Sequence, residues 1–124
     1  MSILVVDDDA VLCQFLTELL QDAGYSVVTA ANGLEALNKL RQVVPQPCLI
    51  LLDVTMPLMD GWTFREQQLQ DPYLATIPVV YISATSHHRV QAAVSGAHHL
   101  LKPFVVQDLL QMVARFCAPS STRS

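Results

Sequence analysis

Short apolar runs and longer amphipathic stretches take turns along this chain. Ile3–Val6, Ser26–Thr29, Leu49–Leu52, Ile77–Ile82 and His99–Leu101 are apolar or β-branched. Their length predicts strands, and the continuous runs suit strands covered on both faces. Between them the spacing turns helical. Val11, Leu12, Phe15, Leu16, Leu19 and Leu20 repeat at helical intervals, with Gly24 as a stop. Asn32 precedes Leu34, Leu37 and Leu40, Glu35 completes a capping-box-like start, and Pro45 and Pro47 close the segment. A third helix is predicted from about Gly61 to Gln70, ended by Asp71-Pro72, and a short fourth from about His88 to Ser95, followed by Gly96. A fifth runs from Val106 to Phe116 with Leu109, Leu110, Val113 and Phe116 on one face. Val105 offers it no capping side chain, so its start is expected to fray.

Strand–helix alternation of this kind predicts an α/β fold, a parallel sheet with helices on both faces, because each crossover must travel back across the sheet. Five such units in 124 residues are too few for a barrel of eight. The length suits one domain, residues 1–117, followed by a polar stretch, 118–124, read as a flexible tail or linker stub.

Composition narrows the function. Hydrophobic residues make up 52% and charged residues 15% of the chain, against a usual charged share of about 25%. That excludes a disordered chain. A net charge of -4 gives no basic field to hold nucleic acid or an anionic membrane. Runs such as Cys48–Leu52 fall far short of the ~20 residues a membrane span needs, and the start carries no basic leader. The three cysteines, Cys13, Cys48 and Cys117, lack metal-ligand spacing and are expected as reduced, partly buried thiols of a cytoplasmic protein.

The informative feature is what ends each strand. The first apolar run stops at Asp7-Asp8-Asp9, the third at Asp53, the fourth at Ser83 and the fifth at Lys102-Pro103. In a parallel sheet all carboxyl ends lie on one edge, where ligands bind. Crowded carboxylates raise one another's pKa unless a cation compensates, and a hard divalent ion such as Mg²⁺ suits a site of few carboxylates and several waters. Lys102 adds a fixed positive charge, leaving a place suited to a small dianion.

With these residues in this order, the chain resembles the receiver domain of bacterial two-component response regulators, including the stand-alone chemotaxis type. The motifs are Ile3-Leu4-Val5-Val6-Asp7-Asp8-Asp9, Leu51-Leu52-Asp53-Val54-Thr55-Met56-Pro57, Asp60-Gly61, Ser83-Ala84, Gly96-Ala97 and Lys102-Pro103-Phe104. The similarity runs from Ile3 to about Phe116. It implies a doubly wound, flavodoxin-like five-stranded sheet in the order 2-1-3-4-5, which the residues alone do not give. It also implies that Asp53 accepts a phosphoryl group from a phosphohistidine on a sensor histidine kinase or histidine phosphotransfer protein. Mg²⁺, or Mn²⁺, would be held by Asp8, Asp53 and the Thr55 backbone carbonyl, with Asp7 acting through water. Lys102 matches the phosphate-contacting lysine and Ser83 the hydroxyl that senses the phosphoryl oxygen. The acyl phosphate would then switch a surface that binds a downstream protein.

Departures from the pattern are specific. The aromatic switch position, three residues before the lysine, holds His99. The stretch from Ser83 to Lys102 is shorter than usual, so the usual dimer mode is not carried over. Thr55 and Thr85 offer no acid or amide to orient an attacking water, which favours slow self-hydrolysis. The pairs His87-His88 and His98-His99 put neighbours on different faces, a poor metal clamp. Trp62 is expected to pack on its own domain.

Other classes fit less well. A haloacid dehalogenase-type enzyme needs a second Asp two residues beyond its nucleophile, where Thr55 stands. A flavin carrier needs a hydroxyl- and glycine-rich phosphate loop where Asp7-Asp8-Asp9 stands, and no GxGxxG marks a dinucleotide site. The alternative kept open is a receiver-fold interaction module that works without phosphorylation. The chain is expected to catalyse nothing beyond its own phosphorylation and dephosphorylation.

Overall fold

The computed structural model describes residues 2–43, 45–54, 60–84, 88, 92 and 96–117, and among these residues strands and helices form nine regular elements. They are β1 (Ser2–Val6), α1 (Ala10–Asp22), β2 (Ser26–Ala30), α2 (Gly33–Leu40), β3 (Leu49–Asp53), α3 (Gly61–Gln70), β4 (Val79–Ser83), β5 (His98–Leu101) and α4 (Val106–Ala114). All four strand pairings are parallel, and the order is β2-β1-β3-β4-β5. That is the order the resemblance implies. Of the short helix expected near His88–Ser95, only His88 and Ala92 fall among the described residues, and the tail expected at 118–124 lies outside them.

Each strand divides its side chains between two cores, as the two-residue period of a strand requires. Leu4, Val6, Ile50, Leu52, Val79 and Tyr81 face Ala36, Leu37 and Leu40 of α2 and Phe64 of α3. Ile3, Val5, Leu49, Leu51, Val80 and Ile82 face Leu16 and Leu20 of α1 and Leu109 and Val113 of α4. With both faces covered, the stretches 3–6 of β1, 49–52 of β3 and 79–82 of β4 carry apolar or aromatic side chains, and polar residues stand only at the strand ends.

Helix ends follow local chemistry. Gly24, at φ 99°, closes α1: its N–H donates to the Gln21 carbonyl and that of Tyr25 to the Leu20 carbonyl, the paired bonds of a Schellman stop. Asn32 Oδ1 accepts the Glu35 N–H at 2.9 Å, while the Glu35 carboxylate accepts the N–H of Ala31. Val105 makes no side-chain cap on α4, as its type dictates. Strand β4 starts at Val79 rather than Ile77. The Ile77 N–H is taken by the Leu74 carbonyl, and its own carbonyl accepts from the Gln68 side-chain amide at 3.0 Å, so its backbone is spent before the ladder begins.

The expectation of three reduced thiols is overturned. Cys48 and Cys117 form a disulfide across 69 residues with their Cα atoms 5.7 Å apart, and Cys13 alone keeps its thiol. Cys48 precedes β3 and Cys117 follows α4, so both fall on the rim where the strands begin. Sequence spacing cannot reveal such a pairing, because the sheet topology creates it. Among the described residues no helix is long and apolar enough to cross a membrane.

Candidate functional site

The opposite rim, where the strands end, gathers the polar residues. Asp7 and Asp8 follow β1, Asp53 is the last residue of β3, Ser83 the last of β4, and Lys102 follows β5. One carboxylate oxygen from each of Asp7, Asp8 and Asp53 lies within 4.8 Å of the others. Asp7 and Ser83 are buried, Asp53, His99 and Lys102 half-buried, and Asp8 exposed. Thr55 and Thr85 lie outside the described residues, and so does His87.

The three consecutive acids do different jobs. Asp9 is the N-cap of α1: its Oδ1 accepts the N–H of Val11 at 3.0 Å and of Leu12 at 3.2 Å. The N–H of Asp9 in turn donates to Asp7 Oδ1 at 2.9 Å, and the N–H of Asp7 to the Ala30 carbonyl at 3.0 Å. Asp7 is thereby fixed between β2 and the start of α1, and Asp8 between them points its carboxylate into the same cluster. Sequence reading of the triplet missed the capping role, although an Asp directly before a helical run is its usual signal.

Burial pushes the Asp7 carboxyl above the ordinary carboxylate range, and the Asp8 and Asp9 charges add to this. The Asp9 N–H bond and the Lys102 ammonium act the other way. Burial also raises the Cys13 thiol, with the Asp7 and Asp9 charges adding to it, so that thiol stays protonated and donates to the Asp7 carbonyl at 3.2 Å. Among the described residues, the donors that converge here are the carboxylate oxygens of Asp7, Asp8 and Asp53. Three converging carboxylates, one of them desolvated, fit a hard divalent cation, which relieves their repulsion and the cost of burial together.

Ser83 and Lys102 are joined directly. The Lys102 N–H donates to the Ser83 carbonyl at 2.7 Å, and the Lys102–Pro103 peptide is cis. Ser83 Oγ lies 2.7 Å from His99 Nε2. On the same face Trp62 packs its ring 4.5 Å from Tyr81 and 5.4 Å from His88, as expected of an aromatic serving its own domain.

Gly61 belongs to the site as well. Its N–H donates to the Val54 carbonyl at 2.8 Å, and a Cβ there would stand 2.8 Å from the Asp53 carbonyl oxygen and 3.0 Å from Val54 Cα. Only a residue without a side chain lets α3 start this close to the end of β3.

This chain is similar in sequence and fold to known proteins. RpaA of Synechocystis sp., a DNA-binding dual master transcriptional regulator, is 35% identical over 114 residues, which cover 90% of this chain and 46% of that protein. The chain spans about half the length of the first curated relatives it matches. The chemotaxis response regulator CheY4 of Vibrio cholerae superposes with a TM-score of 0.84 at 32% identity, covering 94% of this chain and 98% of that one. The response regulator TrrA of Thermotoga maritima, solved in complex with Mg²⁺-BeF, gives 0.82 at 30% identity over 94% and 98%. The profile of the response regulator receiver domain matches residues 3–114, from the second residue of β1 to the last of α4, and this chain belongs to that family.

Proposed function

We propose that this receiver domain, residues 1–117, is phosphorylated on Asp53 by a phosphohistidine of a sensor histidine kinase or a histidine phosphotransfer protein. The observation that carries the reading is the convergence of the Asp7, Asp8 and Asp53 carboxylates within 4.8 Å at the rim that also holds Lys102. Phosphoryl transfer needs in-line placement and charge neutralisation more than covalent help. A carboxylate oxygen of Asp53 forms the P–O bond as the P–N bond of the phosphohistidine breaks, and the departing imidazole takes up a proton. Lys102 offsets charge on the incoming phosphoryl oxygens, and Ser83 donates a hydrogen bond to one of them.

Asp7, Asp8, Asp53 and the backbone carbonyl of Thr55 would hold Mg²⁺ or Mn²⁺. When bound, such an ion would supply Lewis-acid charge neutralisation. The product acyl phosphate adds nearly two negative charges, enough to draw Ser83 and Lys102 inward and bias a two-state equilibrium in the partner-binding surface, with His99 at the switch position. Catalysis is confined to the domain's own phosphorylation and dephosphorylation. Output is through a downstream protein in the cytoplasm, without direct nucleic-acid contact or membrane insertion.

The test is incubation with acetyl phosphate and Mg²⁺ followed by intact mass. The expected result is a gain of one phosphoryl group, absent from Asp53→Ala. No gain with any phosphodonor would leave the phosphorylation-independent interaction module as the better reading.

A further inference from the structure

A serine hydroxyl has one proton, and a neutral imidazole has one N–H and one bare nitrogen. The 2.7 Å contact between Ser83 Oγ and His99 Nε2 therefore has two polarities. Either Ser83 donates to Nε2, or Nε2–H donates to Oγ. Strand pairing holds the partners in place. His99 on β5 pairs with Tyr81 on β4, and Ser83 lies two residues beyond Tyr81 on the same face, opposite Leu101. Ser83 is also tied through its carbonyl to the N–H of Lys102. The ring thus reaches the hydroxyl diagonally across two paired strands.

We propose that His99 is a positioning residue for Ser83, and that phosphorylation fixes the polarity of their hydrogen bond. The inference rests on the phosphoacceptor role of Asp53. Once a phosphoryl group is present, Ser83 gives its one proton to a phosphoryl oxygen. Its Oγ must then accept from His99, which requires the proton on Nε2. The chain Nε2–H to Oγ, and Oγ–H to phosphoryl, is aligned head to tail, so each bond strengthens the next. A phenylalanine ring at this position has no donor to give. The departure at position 99 thereby becomes a polar link between the phosphorylation site and β5, an edge strand of the sheet.

Uniformly ¹⁵N-labelled full chain with acetyl phosphate and Mg²⁺ tests this by long-range ¹⁵N–¹H spectra of the His99 ring, with intact mass on the same sample. The expected signature is protonated Nε2 in the phosphorylated protein. The rate of phosphorylation by acetyl phosphate adds a second readout. His99→Phe slows it about two- to tenfold, the range of one net hydrogen bond. His99→Gln, which keeps an N–H at similar reach, restores it, and His99→Phe costs nothing further in Ser83→Ala. A bare Nε2 in the phosphorylated protein, or a His99→Phe effect of equal size without the Ser83 hydroxyl, overturns the inference while leaving Asp53 phosphorylation standing. Absence of the phosphoryl mass overturns both.

Discussion

Gly61 presses against Asp53: a methyl group on its Cα would lie 2.8 Å from the Asp53 carbonyl oxygen, inside van der Waals contact. The neighbour is backbone, not a flexible side chain, so relief requires α3 to back away from the end of β3. Gly61→Ala is expected to cost about 1–3 kcal/mol of stability, as overpacking does. It also displaces Asp53, so phosphoryl uptake should fall with the urea midpoint. An unchanged midpoint with full uptake would show that the close approach does not matter.

Asp7 connects the site to pH. Its pKa is raised in the folded chain, chiefly by burial. A raised carboxyl favours the fold below its unfolded value of 3.8, and that contribution is lost as pH rises through the folded value. At neutral pH the ionised Asp7 therefore destabilises the metal-free protein. Asp7→Asn keeps the oxygen that accepts the Asp9 N–H, so it should melt a few degrees higher than the parent without added cation. The advantage should shrink as acid protonates Asp7 itself. Mg²⁺ should raise the melting temperature of the parent but not of the variant. Thermal melts from pH 4 to pH 8, with and without Mg²⁺, check both signs.

Asp8 and Asp9 are neighbours with separate duties. Removing the Asp9 cap by Asp9→Ala should lower stability by about 1 kcal/mol, the usual worth of an N-cap. Asp8→Ala, at an exposed position, should leave stability without cation nearly unchanged and weaken the Mg²⁺ response. Denaturation midpoints measured with and without Mg²⁺ distinguish the two; identical behaviour would contradict the division.

The Cys48–Cys117 disulfide ties the far rim. Closing a loop across 69 residues restrains the unfolded chain by about 4 kcal/mol in the entropy model. Reduction with dithiothreitol should lower stability by up to that amount. Phosphoryl uptake at Asp53 should stay the same under conditions where both forms remain folded, because the bond sits where the strands begin. Loss of uptake on reduction would show that the two rims communicate.

Much of this molecule can be read from its residues. The bounds Gly61–Gln70 of α3 follow from the Asp60 cap, whose Oδ1 accepts the Thr63 N–H at 2.8 Å, and from the Asp71-Pro72 stop. Asp7, Asp53, Ser83 and Lys102 are legible because each directly ends an apolar run, and a parallel sheet brings such ends together. What escapes is whatever depends on distance through space. The start of β4 shifts because Gln68, on a different element, occupies the Ile77 carbonyl. The disulfide arises from two ends that meet only after folding. The contact between Ser83 and His99 needs the β4–β5 register, which no local pattern encodes.

The loop from Asp7 to Asp9 has no slack. One N–H joins its two ends, the first residue belongs to the acidic cluster, and the last begins α1. A single added or deleted residue would unseat a carboxylate and unwind the first turn of the helix at the same stroke. Substitutions on the outer surface of α1 are therefore expected to be borne far better than any change in the length of the step leading into it.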